Sequence, residues 1–127
     1  MTQSAMDELN AQRFIRMHGD RVRWVKGQGQ FRSSWFVFNG KHWVGDDFEA
    51  QRLVLEVCRD VHLQSINRNL SNDQWRELSE QAYRMENREG IRRVLSLAKK
   101  YLTARVFEFE GEPWKRVAKT IMDVREL

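Results

Sequence analysis

Apolar residues recur every three or four positions in several stretches of the chain, the spacing that places them on one face of a helix. The first predicted helix covers residues 6–17 and ends at Gly19, because glycine commonly adopts a left-handed conformation after a helix. A second helix starts at the capping pair Asp46-Asp47 and runs to about Asn69. Its predicted buried face consists of Ala50, Leu53, Val54, Val57, Val61 and Ile66.

Two more helices are indicated by the residues that precede them. Ser71 followed by Gln74 has the sequence of a capping box, in which each side chain accepts a hydrogen bond from the other residue's backbone. Asn87 is a favoured N-cap for a last long helix. The predicted buried faces of these two helices consist of Trp75, Leu78, Ala82 and Met85 and of Ile91, Val94, Leu95, Ala98 and Leu102. We expect a short extended segment at residues 106–109 and a short helix or turn that starts at Pro113.

Strand patterns lie between the first and the second helix. The β-branched and aromatic residues at positions 22–25 predict one strand. Two aromatic-containing runs, residues 35–38 and 41–44, flank Asn39-Gly40, a dipeptide that tolerates both positive φ angles of a type I′ hairpin turn. The chain is therefore predicted to be a single α+β domain, residues 1–127, in which a small antiparallel sheet or hairpin packs on a bundle of three to four helices.

The composition fits one folded domain without a membrane span. Of the 127 residues, 41% are hydrophobic, which is enough for one modest core, and no uncharged apolar run approaches about 18 residues. The polar start and the single cysteine, Cys58, favour a cytoplasmic protein in which this cysteine is a buried, small apolar side chain. The net charge of +4 is uneven, because residues 13–41 and 88–127 are basic whereas residues 46–86 are acidic. This distribution excludes a uniformly cationic coat for nucleic acid.

Patterns for catalysis or metal binding are sparse. Asp46 and Asp47 resemble the paired magnesium ligands of some polymerases, but no second carboxylate cluster accompanies them, so helix capping is the favoured interpretation. Cys58 and His62 lie four residues apart on one helix and can reach one zinc ion, yet two ligands are too few for a metal site. The sequence has no Gly-x-x-x-x-Gly-Lys-Ser/Thr phosphate loop. We therefore predict no enzyme activity, no metal and no cofactor.

Aromatic and basic residues coincide in two parts of the chain, which are candidate nucleic-acid contacts. Tryptophan rings can stack on exposed bases while arginine and lysine side chains meet phosphates. Around the predicted hairpin the candidates are Arg21, Arg23, Arg32, Lys41 and Trp43. On the last long helix they are Arg88, Arg92, Arg93, Lys99 and Lys100. The alternative is that the tryptophans of the strand region fill the core of a small sheet and that the charged helix face is only solvated.

The order of these elements resembles that of a known family. An aromatic-rich strand, an Asn-Gly turn and a second strand with a tryptophan, within residues 13–47, are similar to the opening of the poxvirus-type primase-helicase N-terminal-like domain of phage and plasmid replication proteins. Residues 88–99 resemble the arginine-rich helix of that family, and residues 114–127 resemble its closing segment. The resemblance implies a non-catalytic module that joins a primase part to a superfamily 3 helicase in ring-shaped oligomers. The enzymatic residues of the family belong to parts outside this chain.

Two functions are compatible with the resemblance and the charge pattern. The first is a DNA-replication module that binds single-stranded DNA or docks a helicase or primase domain, with homo-oligomers as a further expectation. The second is a stand-alone phage adaptor or inhibitor that captures a protein partner through exposed tryptophans such as Trp43. No membrane partner is expected.

Overall fold

The computed structural model describes residues 1–27, 30, 32–67 and 69–104, and this part of the chain contains four helices and four strands. In chain order they are α1 (Gln3–His18), β1 (Val22–Val25), β2 (Ser34–Phe38), β3 (Trp43–Gly45), α2 (Asp47–Asn67), α3 (Asn72–Tyr83), α4 (Arg88–Leu102) and β4 (Thr103–Ala104). The predicted α+β class, with a small sheet on helices, is confirmed. The elements expected at residues 106–109 and from Pro113 lie outside the described residues. None of the described helices is both long and apolar enough to span a lipid bilayer.

The four described strands form one sheet in the order β3-β2-β1-β4. Strand β2 is antiparallel to both β1 and β3, as the sequence predicts. Strand β4 is parallel to β1, with Trp24 opposite Thr103 and Val25 opposite Ala104. No sequence pattern indicates this edge strand, because it is only two residues long and directly continues α4. Its pairing holds the end of α4 beside β1.

Helix α2 lies at the centre of the core. Its contributions to the main cluster of buried side chains are Ala50, Leu53, Val54, Val57, Cys58 and Val61. Val22, Trp35 and Val37 join this cluster from one face of the sheet, in agreement with the alternation of side chains along a strand. Each fully buried aliphatic side chain contributes about 1.5–3 kcal/mol. The expectation that Cys58 is a buried, small apolar side chain is confirmed.

The hairpin between β2 and β3 is present, but the predicted two-residue turn is wrong. The register of the two strands leaves residues 39–42 as the connection, so Lys41 and His42 lie in the loop. Among the described residues only Gly40 has a positive φ, +98°, whereas a type I′ turn requires two. The Asn39 side-chain oxygen instead accepts hydrogen bonds from the N–H groups of Lys41 and His42, at 2.9 and 3.0 Å. The asparagine thus stabilises the loop through its side chain rather than through its backbone angle.

Helix α1 ends at Gly19 for a reason different from the predicted one. The residue has φ −62° and ψ −21°, which is a right-handed conformation, so the expected left-handed one is wrong. Its N–H donates to the carbonyl oxygen of Ile15 at 2.8 Å. A Cβ at this position would lie 2.3 Å from that same oxygen, so only glycine fits. Close approach of the backbone, rather than a positive φ, requires glycine here.

Two residues that were predicted to be buried lie on the surface. Trp75 is 52% exposed and Ile66 is 73% exposed, and both flank the connection between α2 and α3. The predicted faces are otherwise correct, since Ala82 and Met85 of the same stripe are buried. In the described part of the chain, other elements cover the middle of α2 and α3 but not the end of this pair next to their connection.

The capping residues predicted for α3 and α4 are confirmed. Ser71 Oγ accepts the N–H of Gln74 at 3.2 Å, and the Gln74 side chain accepts the N–H of Ser71 at 3.0 Å. The Asn87 side chain accepts the N–H of Gly90 at 2.8 Å. A Cβ at Gly90 would lie 1.6 Å from the carbonyl oxygen of Arg84, so α4 begins in direct backbone contact with the end of α3.

We expect Gly90→Ala to lower the free energy of unfolding by about 2 kcal/mol or more, because the added methyl group forces the two helix backbones apart. Urea unfolding followed by circular dichroism measures this change. Ser96→Ala replaces an exposed residue of the same helix and serves as the control, with an expected change below about 0.5 kcal/mol. An unchanged stability for Gly90→Ala would contradict the close contact between α3 and α4.

Candidate nucleic-acid interface

A cleft of about 890 Å³ lies between the sheet, the start of α2 and helix α4. Its aromatic and cationic lining consists of Trp24, Trp35, Phe48, Arg88, Arg92 and Lys99. The structure therefore brings three of the α4 candidates beside two tryptophans of the strand region. The candidates around the hairpin are not among the described residues that line this cleft: Arg21, Arg23, Arg32, Lys41 and Trp43. Proteins that bind single-stranded nucleic acid without sequence preference commonly combine aromatic rings with a cationic groove in this way.

The cationic side of the cleft is one face of α4. Arg88, Arg92 and Lys99 are separated by four and seven residues, about one and two helical turns, and therefore share this face. Val94 and Ala98, on the other side of the helix, are fully buried in the core. Packing of the apolar side of α4 thus fixes the direction of its basic face.

Trp24 lies where the cleft meets the core. Its ring packs edge-to-face against Trp35, with the ring centroids 5.4 Å apart. The Lys99 ammonium group lies 3.8 Å from the centroid of the Trp24 ring, which is a cation–π contact. Lys99 reaches this ring because the parallel pairing of Trp24 with Thr103 places the last turn of α4 next to β1. The half-buried ring is therefore supported by the core on one side and contacted by a flexible side chain on the other.

Two carboxylates reduce the positive charge of the cleft. Glu89 forms an ion pair with Arg92 on the surface of α4. Asp47 lines the cleft at the start of α2 and accepts the N–H of Trp35 at 2.8 Å and the hydroxyl of Ser34 at 3.1 Å. Among the residues that the structure describes, the lining still contains three cationic side chains and two anionic ones. The cleft therefore keeps a positive excess that favours a polyanion.

Arg93 and Lys100, the other candidates on α4, are not among the residues that line the cleft. Arg93 Nε lies 3.4 Å from Oδ2 of the buried Asp7. Arg84 donates two hydrogen bonds to the same carboxylate, at 2.6 and 3.1 Å. Asp7 thereby joins α1 to α4 and to the end of α3, and Arg93 has a structural partner. Lys100 is exposed.

The candidate arginines of β1 and of the loop before it contact protein groups. Arg21 Nη2 lies 3.8 Å from a carboxylate oxygen of Glu56 and 3.1 Å from His18 Nδ1. Burial is the main factor that lowers the pKa of His18, and the charge of the Arg21 guanidinium lowers this pKa further. The imidazole is therefore neutral at pH 7. The Arg23 guanidinium donates to two backbone carbonyl groups, one before β1 and one within it. Both arginines therefore help to hold α1, β1 and α2 together.

The remaining candidates lie around β2 and β3. The Arg32 side chain is 87% exposed and comes within 3.6 Å of Asp47. Lys41 is exposed in the hairpin loop. Trp43 is 2% exposed, and its ring packs against Phe38 with centroids 5.6 Å apart. The Trp43 ring is therefore covered by protein and does not face solvent.

Asp46 and Asp47 have separate structural contacts. Asp46 Oδ1 accepts the N–H of Glu49 at 3.0 Å, which is the N-cap contact predicted for α2. Asp47 does not cap the helix but connects its first residue to β2 through the N–H of Trp35. These contacts account for both carboxylates without a magnesium ion. The cluster of metal-ligating side chains found among the described residues lies elsewhere.

That cluster joins Cys58 and His62 of α2 to Glu86, which lies between α3 and α4. Their ligand atoms lie within 4.8 Å of one another, and His62 Nε2 is 2.6 Å from Glu86 Oε1. Burial, and after it the charge of Glu86, raises the pKa of the Cys58 thiol. The sequence indicates Cys58 and His62 but not Glu86, because the packing of α2 against α3 brings in this distant residue. The spacing of residues along α2 alone gives no information about Glu86.

The fold and the cleft define a small α+β module with a basic groove that contains a tryptophan. The model of the family described as D5 N terminal like matches residues 11–119, and the chain belongs to this family. Its members are the domain that precedes the helicase in primase-helicase proteins of phages and poxviruses, a non-catalytic N-terminal module. The family suggested by the sequence is therefore confirmed. No curated protein and no solved structure gives a significant match to the chain.

We expect Asp47→Ala to lower the free energy of unfolding by about 1–3 kcal/mol, because the N–H of Trp35 loses its acceptor. Asp46→Ala should cost about 1 kcal/mol through the loss of the N-cap. Thermal unfolding of both variants, with and without millimolar Mg²⁺, measures these changes. A midpoint that rises with Mg²⁺ in the unchanged protein but not in Asp46→Ala would instead indicate a metal site at this pair.

Proposed function

We propose that this replication-associated module binds single-stranded DNA in the cleft between β1 and α4. The observation that carries the proposal is the meeting of Trp24 with the basic face of α4 on one concave surface. Single-strand binding sites that lack sequence preference combine rings that stack on bases with a cationic groove that follows the phosphates. The family context supports this function, because a helicase produces single strands next to the domain that precedes it.

Binding would exchange one contact of Trp24 for another. In the free protein Lys99 contacts the ring, and a cation–π contact at an accessible site is worth about 0.5–1 kcal/mol. A stacked base contributes about 1–3 kcal/mol. The displaced ammonium group remains on the same helix and can pair with a phosphate of the bound strand. The exchange therefore favours the complex.

The basic face of α4 is long enough for a short segment of DNA. Arg88 and Lys99 lie at its two ends, about 16 Å apart along the axis at a rise of about 1.5 Å per residue, and Arg92 lies between them. Single-strand sites on small domains cover roughly 4–16 nucleotides, and this length fits the lower end of that range. We therefore infer a small site with about three phosphate contacts.

Fluorescence anisotropy with a labelled oligonucleotide tests the proposal. We expect binding at low salt that weakens with a slope of log affinity against log salt of about −2, since each phosphate contact on a single strand contributes about −0.7. The double variant Arg88→Ala, Arg92→Ala should reduce the slope to about −0.7. Trp24→Leu should weaken binding about 5- to 100-fold through the loss of stacking, with the salt slope kept.

The matched control is the double variant Arg59→Ala, Arg76→Ala, which removes two exposed arginines from α2 and α3 outside the cleft. It should keep both the affinity and the salt slope, and circular dichroism should show that all variants are folded. An oligonucleotide that does not bind even at low salt would falsify the proposal. Equal losses of affinity in the two double variants would show that binding depends only on the net charge of the chain.

A docking function is a second candidate, favoured by the exposed end of the α2–α3 pair. Leu63, Ile66 and Trp75 are 48%, 73% and 52% exposed and flank the same connection. Tryptophan is among the residues most enriched in interface hot spots, so this patch suits a helicase or primase domain of a replication protein. It equally suits the partner of a stand-alone adaptor. Trp43 is buried and therefore does not belong to this patch.

We expect Trp75→Ala to weaken binding of the chain to an isolated helicase domain at least about 30-fold, because a hot-spot residue contributes about 2 kcal/mol or more. Its unfolding midpoint should stay nearly constant, since the side chain is half exposed. Size-exclusion chromatography and interferometry measure the binding. Tyr101→Ala, an exposed aromatic residue on α4, is the control and should keep the affinity. A tryptophan variant that binds as the unchanged chain does would remove this candidate.

A further inference from the structure

The cluster of Cys58, His62 and Glu86 lies outside the cleft and has no part in the proposed function. Cys58 and His62 are one helical turn apart on α2, and Glu86 faces them from the segment between α3 and α4. The thiol is buried, whereas the His62 and Glu86 side chains are 38% and 40% exposed. One ligand is therefore buried, and the other two are accessible to an ion that approaches from solvent.

The three side chains offer a sulfur, a nitrogen and an oxygen ligand, a set that Zn²⁺ accepts and that Mg²⁺ and Ca²⁺ do not prefer. Tetrahedral zinc, at about 2.3 Å from sulfur and about 2.0–2.1 Å from nitrogen and oxygen, places neighbouring ligand atoms roughly 3.3–3.6 Å apart. His62 Nε2 and Glu86 Oε1 are now 2.6 Å apart, and all ligand atoms lie within 4.8 Å. Side-chain shifts of about 1 Å therefore reach the geometry of a zinc site.

We propose that Cys58, His62 and Glu86 bind one Zn²⁺ ion, with a water molecule as the fourth ligand. The thiolate and the carboxylate together neutralise the charge of the ion. The ion connects the middle of α2 to the segment that leads into α4, so its role is to hold α4 against the core. This inference does not depend on the DNA-binding proposal.

Zinc binding is coupled to the release of protons. Without the ion, the Cys58 sulfur carries a proton and donates to the carbonyl oxygen of Ala82 at 3.4 Å, and burial with the charge of Glu86 raises the pKa of this thiol. On binding, the thiol proton leaves to solvent and the sulfur becomes a thiolate. His62 ligates through Nε2, with the ring hydrogen on Nδ1. No oxidation or reduction takes place.

Cobalt(II) reports directly on such a site, because a thiolate–cobalt bond gives a charge-transfer band in the near ultraviolet. We expect the full chain to bind one equivalent of Co²⁺ with this band, and excess Zn²⁺ to remove it. Zn²⁺ should raise the midpoint of thermal unfolding by mass action.

Cys58→Ala should abolish the charge-transfer band. His62→Gln and Glu86→Gln should each lower the Zn²⁺ affinity at least about tenfold in competition with a chromogenic chelator, since even an outer hydrogen-bond partner of a ligand is worth roughly 10- to 100-fold.

The matched control is His42→Gln, which replaces an exposed histidine in the hairpin loop and should bind as the unchanged chain does. Because Cys58 belongs to the core, the variants at His62 and Glu86 are the decisive ones, and their circular dichroism spectra should match that of the unchanged chain. A chain that gives no charge-transfer band with one equivalent of Co²⁺ overturns the proposal. Unchanged affinity in both His62→Gln and Glu86→Gln does so as well, and the contact of His62 with Glu86 then only links α2 to the segment between α3 and α4.

Discussion

The burial of α2 between the sheet and the other three helices is the interaction on which the rest of the structure depends. Val54, Val57 and Val61 are fully buried along this helix and give the sheet and α4 a common surface to pack on. Once the apolar side of α4 faces that surface, Arg88, Arg92 and Lys99 have to face outward beside β1. The cleft is therefore a consequence of hydrophobic packing, and its charged residues need no network of their own to hold them in place.

Much of the fold was predictable because its causes are local. The capping box of Ser71 and Gln74 lies within four consecutive residues, and the apolar stripes identify the buried faces of the helices. The errors arise where the cause is not local. Trp75 lies on the correct stripe, but periodicity does not report whether another element covers that end of the helix. At Gly19 the reason for glycine is a contact with the preceding turn, which spacing alone does not distinguish from a left-handed cap.

The two parts of the candidate site could be predicted separately from the sequence, but their meeting could not. The sequence placed tryptophans in the strand region and cations on the last long helix, yet nothing in it indicated that Trp24 and Lys99 touch. Their contact depends on the pairing of β1 with β4, a strand too short to produce a hydrophobic pattern. The sequence also does not show which tryptophan rings are accessible. In the structure Trp43 is buried, whereas Trp24 lines the cleft. The third side chain of the Cys58 cluster was missed for the same reason, since long-range packing supplies it.

The missing side chain of Gly90 has a mechanical consequence. With the backbones of α3 and α4 in direct contact, the start of α4 has no space in which to move toward α3. The other end of the helix continues into β4, which pairs with β1 beside Trp24. Helix α4 is therefore held at both ends, and the wall that it contributes to the cleft is in place before any ligand arrives.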